Sequence, residues 1–185
     1  MKNILIIFIL LLVSCNSQEE NIELSISNIK DSNFELFNGV TIEARNEKDG
    51  IYKAPFLTKE LNGKEYLLPN FLHHGCTIPE KECLEKISTK KFDILEFHSD
   101  NNPDSTVDAY TFANEYTLPI FNEFEKLRAY YIISDSSIGN CIIFLLNEDY
   151  YLAFVPNIED IINDFWKSKF AEENKIEDNW YFGTR

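Results

Sequence analysis

Polar and apolar residues alternate through most of this chain, and the alternation predicts strands. Ile22, Leu24 and Ile26 are separated by polar residues, the pattern of a half-buried strand over 22–29. Val40, Ile42 and Ala44 repeat it after Gly39. Asp49-Gly50 is a strong hairpin turn, and Ile51 to Leu57 supplies the returning strand, with Pro55 confining it to an edge or a bulge. Asn62-Gly63 forms a second tight turn before Tyr66-Leu67-Leu68. Pro79 suits the first turn of a helix running through Leu84 and Ile87 to about Ser88. Apolar residues on both faces of 92–98 predict a central strand, followed by a polar loop over 99–108. Ile120, Phe121, Phe124 and Leu127 fall at helical spacing after Pro119.

The last third carries the strongest pattern. Three β-rich runs, 129–133, 141–146 and 150–155, are joined by short connections, which force antiparallel neighbours and hence a meander over 129–155. Asn157 and Asp160 resemble a capping box with Asp in place of Glu. Ile158, Ile161, Ile162, Phe165 and Trp166 then form one apolar face, predicting an amphipathic helix over 157–171. That face, with Ile162 and Phe165 or Trp166 as anchors, is expected to pack on the sheet. Trp180-Tyr181-Phe182 reads as a closing strand. Hairpins without βαβ units define an α+β fold: an antiparallel sheet with the 157–171 helix on one face, in a single domain over 21–185.

The N-terminus departs from these patterns. Lys2 precedes ten apolar residues, Ile4 to Val13, too few for the ~20 of a membrane-spanning helix but suited to a secretory signal peptide. Leu12-Val13-Ser14-Cys15 resembles the lipobox of bacterial lipoproteins. The resemblance implies cleavage after Ser14 and acylation of Cys15, which anchors the protein in the lipid bilayer. Each buried CH₂ of an acyl chain contributes ~0.8 kcal/mol, so several chains hold a domain essentially permanently. Residues 15–20 then form a lipidated cysteine and polar tether. Asn16 is not the Asp that retains some lipoproteins at the inner membrane, and Gln18-Glu19-Glu20 resembles an export tag for the cell surface. The expected location is the outer membrane of a gram-negative bacterium, facing the periplasm or the cell surface.

Charge narrows the partners. The net charge of −14 becomes −15 without residues 1 to 14, whose one charged side chain is Lys2. Such a chain is repelled by nucleic acid phosphates and anionic lipid surfaces, and suits a basic protein or a divalent cation. Solubility alone also accounts for it. Asp100, Asp104 and Asp108 are the candidate acidic region.

Candidate chemistry lies in three places. In "HHGCTIPEKEC", His73, His74, Cys76 and Cys83 are residue types that bind zinc, but their spacing matches no common zinc finger. An oxidising compartment favours a Cys76–Cys83 disulfide, leaving Cys141 as a buried free thiol. In "DNNPDSTVD", Asp100, Asn102, Asp104 and Asp108 occupy positions one, three, five and nine of an EF-hand-like calcium loop. Ser105 stands where that loop needs Gly, and Thr111 where it needs Glu, so a solvated loop fits better. Calcium and zinc are thus weak candidates, and no cofactor is expected. Tyr150-Tyr151 and Trp180-Tyr181-Phe182 offer rings for a sugar or a protein.

The chain lacks GxSxG, HExxH, GxxxxGK[ST] and GxGxxG. Three functions fit, in order. The first is a tethered, non-catalytic protein binder, similar in general profile to immunity proteins that neutralise toxins. The second is a surface accessory protein for glycans or small ligands, and the third a hydrolase without a linear motif. The lipobox reading predicts that Cys15→Ser abolishes acylation and moves the protein from the membrane to the soluble fraction. Unchanged membrane association on fractionation would contradict it.

Overall fold

The computed structural model describes residues 21–44, 46–48, 51–75, 87, 91–104 and 106–185. Cys15, Cys76, Cys83 and all but Ile87 of the helix expected after Pro79 lie outside them; Ile87 is helical and buried. Among the described residues ten strands run in chain order: β1 Val40–Glu43, β2 Asn46–Lys48, β3 Ile51–Lys53, β4 Phe56–Leu61, β5 Lys64–Pro69, β6 Tyr131–Ile133, β7 Ile142–Leu145, β8 Tyr150–Phe154, β9 Lys175–Glu177 and β10 Trp180–Thr184. Eight form one antiparallel sheet in the order β5-β4-β1-β6-β7-β8-β10-β9, and β2 and β3 form a separate hairpin. The helices are α1 over 21–30, α2 Ile94–Asn101, α3 Ala109–Phe124 and α4 Asp164–Lys169. The fold is α+β with helical structure packed on an antiparallel sheet, as the sequence pattern predicts.

The meander forms as predicted, with Ile132 opposite Phe144 and Phe144 opposite Leu152. The Asn62-Gly63 turn closes β4 on β5, with Leu61 opposite Lys64 and both turn residues at positive φ. Pro55 separates β3 from β4. Strand β1 joins the two parts of the sheet: Val40 and Thr41 pair with β4, Ile42 and Glu43 with β6.

Two predicted strands are helices. Over 21–30, Ile22, Ser25, Ile26 and Ile29 share the inward face at i, i+3, i+4 and i+7, and Leu24, which suggested alternation, is exposed. Over 94–101, Ile94 and Phe97 point inward at i and i+3 while Leu95 is exposed. The Asp93 carboxylate accepts the Leu67 N–H at 2.7 Å, and the Asp93 N–H donates to the Leu67 carbonyl at 2.9 Å, so side chain and backbone satisfy the sheet edge at β5. Helix α3 begins ten residues before Pro119 rather than after it. Asp108 caps it, accepting the N–H groups of Tyr110 and Thr111 at 3.1 and 3.0 Å, and Pro119 lies inside.

Each face of the sheet has its own core. On one, α1, α2 and α3 cover Val40, Ile42, Leu57, Ile132, Phe144 and Leu152. On the other, the C-terminal segment covers Ile143, Leu145, Tyr151, Ala153 and Tyr181. This segment is the predicted amphipathic element, but it is not one helix. A 3₁₀ turn, Ile158–Asp160, is followed by a backbone bridge between Ile161 and Gly139, and then by α4. The break rotates the apolar face: Ile161, Trp166 and Phe170 are buried, while Ile162 and Phe165 are 67% and 53% exposed. Trp166, not Ile162 or Phe165, is the anchor. Its ring meets Tyr151 edge-on at 5.5 Å, and the Tyr151 hydroxyl donates to the Lys169 carbonyl.

Trp166→Ala is expected to destabilise the fold by ~3–5 kcal/mol, the usual cost of truncating a buried Trp. Phe165→Ala should cost under ~1 kcal/mol, in the range of exposed substitutions. Urea unfolding of both variants checks this, and equal losses would contradict it.

Candidate functional site

A groove of about 500 Å³ opens at the end of the sheet where β4 and β6 finish and β1 begins. Its walls come from four parts of the chain: Asn38-Gly39 before β1, the β4–β5 hairpin, the 134–140 loop after β6, and the C-terminal segment at Asp160 and Ile162. Two glycines let these parts meet. Gly39 has φ +63°, and a Cβ there would lie 2.9 Å from the Glu60 carbonyl oxygen. Its carbonyl accepts the Glu60 N–H at 2.7 Å, and its N–H donates to the buried Ser134 hydroxyl at 3.0 Å. Gly139, at φ +120°, would place a Cβ 2.8 Å from the Ile161 Cα. The N–H groups of Ile162 and Asn163 both donate to the Ile138 carbonyl, at 2.9 and 3.2 Å. Backbone hydrogen bonds therefore build the walls before any ligand arrives.

The lining carries three carboxylates, Glu60, Asp135 and Asp160, against one ammonium, Lys59. Hydrogen bonds from the Ser136 hydroxyl and N–H hold the Glu60 carboxyl below its ordinary range; the N–H lies at 2.6 Å. Asp135 accepts the Ser137 N–H at 2.9 Å. Burial lowers the Lys59 pKa, and its ammonium donates to the Asn38 carbonyl at 2.6 Å. The groove is thus a negative concavity with fixed walls. Among the described residues no histidine or cysteine lines it, and Glu60 is kept an anion, unsuited to a general acid.

The sequence-predicted site residues serve other ends. Asp100 accepts from the Lys64 ammonium and the Tyr66 hydroxyl, both at 2.7 Å, and these bonds, Lys64 foremost, lower its pKa. Lys64 also donates to Glu96 at 2.6 Å. The Asn102 N–H donates to the His98 carbonyl at the end of α2, Asp104 is exposed, and Asp108 is the α3 cap. Among the described residues no three His, Cys, Asp or Glu side chains are grouped to hold a metal ion. His73 and His74 meet edge-on at 5.4 Å. Cys141 is free and buried, and burial raises its thiol to about 12, which keeps it neutral. Tyr151, Trp180 and Tyr181 are buried, which removes them as a sugar platform; Tyr150 and Phe182 stack on each other at 5.7 Å.

Sequence reasoning missed Glu60, Asp135 and Asp160. They lie 75 and 25 residues apart along the chain, and Gly39 and Gly139 were the available signals of close backbone approach. Among the described residues no helix is long and apolar enough to cross a membrane. No protein-family model, no curated protein and no solved structure matches this chain.

Proposed function

We propose that the chain is a lipid-tethered, non-catalytic binding protein of the gram-negative outer membrane, recognising a basic protein partner. Neutralisation of a toxin, as immunity proteins perform it, is a role of this kind. The observation that carries the reading is the groove, where backbone bonds fix the walls and the lining includes three acidic residues and one lysine. Tethering through Cys15 and the overall charge of −14 support it. An anionic surface steers a basic partner into encounter, and salt screens that steering as the Debye length falls from ~10 Å at 0.1 M to ~3 Å at 1 M.

Crosslinking on intact cells that display the full chain should capture a protein of net positive charge. Association of the purified partner should slow at least ~10-fold between 0.1 and 1 M NaCl, with dissociation changing less. Salt-independent association would contradict the reading. So would turnover of a glycan or peptide by the purified chain with no partner captured.

A further inference from the structure

The start of α1 and the groove lie at opposite ends of the sheet. Asn21, the first residue of α1, accepts a hydrogen bond from the Arg128 guanidinium at 2.9 Å. Arg128 stands two residues before Tyr130, whose carbonyl accepts the Ala44 N–H at 2.9 Å where β1 finishes and β6 begins. The groove opens where β1 begins and β6 finishes. Six residues lead from Cys15 to Asn21, and at ~3.3–3.6 Å per residue they reach no more than ~22 Å. A lipid on Cys15 therefore holds the Asn21 end close to the bilayer. The surface of that end suits the contact. Ile51 in β3 is 42% exposed and Leu72 is 61% exposed. Asn70 ties the turn carrying Leu72 to the end of β3: its N–H donates to the Pro55 carbonyl and its side-chain amide to the Ala54 carbonyl, both at 2.9 Å. Tyr52, next to Ile51, packs on Tyr130 at 6.2 Å, and the Arg185 guanidinium donates to the Tyr130 hydroxyl at 3.2 Å. Apolar side chains with Tyr and Arg are the residue types that settle at a membrane–water interface.

We propose that this end of the sheet is the membrane-facing surface of the protein, seated on zwitterionic lipid through Ile51 and Leu72, with the groove held outward. The inference rests on the tethered reading above and supplies the orientation that reading leaves open. Glu47, Glu148 and Asp149 are exposed at the same end, so an anionic lipid surface is repelled and a neutral one fits. Two exposed apolar side chains are too few to hold a domain on lipid unaided. The acyl chains hold it, and the contact selects which way it faces. Strand β1 has four residues and β4 six, so at ~3.3 Å per residue the groove stands ~13–20 Å farther from the lipid.

Tryptophan fluorescence of the full acylated chain tests this, in phosphatidylcholine vesicles whose acyl chains carry bromine, a short-range quencher. Ile51→Trp and Leu72→Trp place the probe at the proposed contact, and Asn140→Trp places it on the exposed loop beside the groove. Trp166 and Trp180 are buried, and the wild type supplies their background. Thermal melts of the three variants control for folding. Emission added by Ile51→Trp and Leu72→Trp should be quenched at least ~2-fold more strongly than that added by Asn140→Trp. Equal quenching of the three, or the strongest quenching at Asn140→Trp, would overturn the orientation. Vesicles made half of anionic phosphatidylglycerol should quench Ile51→Trp less, and stronger quenching there would overturn the neutral surface. Flotation of the same vesicles separates the two readings. If the wild-type chain floats with them while the probes are quenched alike, only the orientation falls; if it does not float, the tethered reading falls as well.

Discussion

All four residues of β7, Ile142 to Leu145, are buried, as are Tyr151, Leu152 and Ala153 of β8, so these strands are covered on both faces. A sheet that is apolar on both faces needs two covers, and the rest of the fold supplies them. Helices α1 to α3 form the first. The C-terminal segment forms the second, held by the Gly139–Ile161 bridge and by Trp166 and Phe170 on Tyr151. The need for the second cover fades toward β1, where polar Thr41 and Glu43 alternate with buried Val40 and Ile42. The groove opens beside that boundary, with Asp160 and Ile162 on one wall and Glu60 on the other.

Local signals in the sequence were legible. The meander, the Asn62-Gly63 turn and the closing strand at Trp180 depend on neighbouring residues alone, and they stand where the pattern put them. Short alternating runs were ambiguous, because eight residues fit a period of 2 or of 3.6 nearly equally. In α1 the inward face includes buried Ser25, which hydrophobicity does not reveal. The C-terminal stripe misled for a longer-range reason. Hydrogen bonds to the 138–139 backbone draw Ile161, Ile162 and Asn163 out of helical geometry, and that partner lies more than 20 residues upstream.

The acidic composition divides between structure and surface. Asp108 caps α3, Asp93 satisfies the β5 edge, and Glu123 accepts the Asn33 N–H at 3.2 Å and the Lys126 ammonium at 2.6 Å. Glu60 does both: it fixes the 134–140 loop through Ser136 and remains an anion in the groove lining. Two residues of the EF-hand-like spacing, Asp100 and Asp108, serve an ion pair and a helix cap. The acidic residues of the groove lining have no such linear signature, since Glu60, Asp135 and Asp160 come from β4, the loop after β6 and the C-terminal segment.

The second cover is locked to the sheet and so builds the groove in advance. Native-state amide hydrogen exchange on the full chain tests it most directly, at Ile162 and Asn163, whose N–H groups donate to the Ile138 carbonyl. Both should be slowed at least ~100-fold relative to an unstructured chain, alongside still slower exchange in β7 and β8. Exchange of Ile162 and Asn163 at unprotected rates, with β7 and β8 remaining protected, would contradict it.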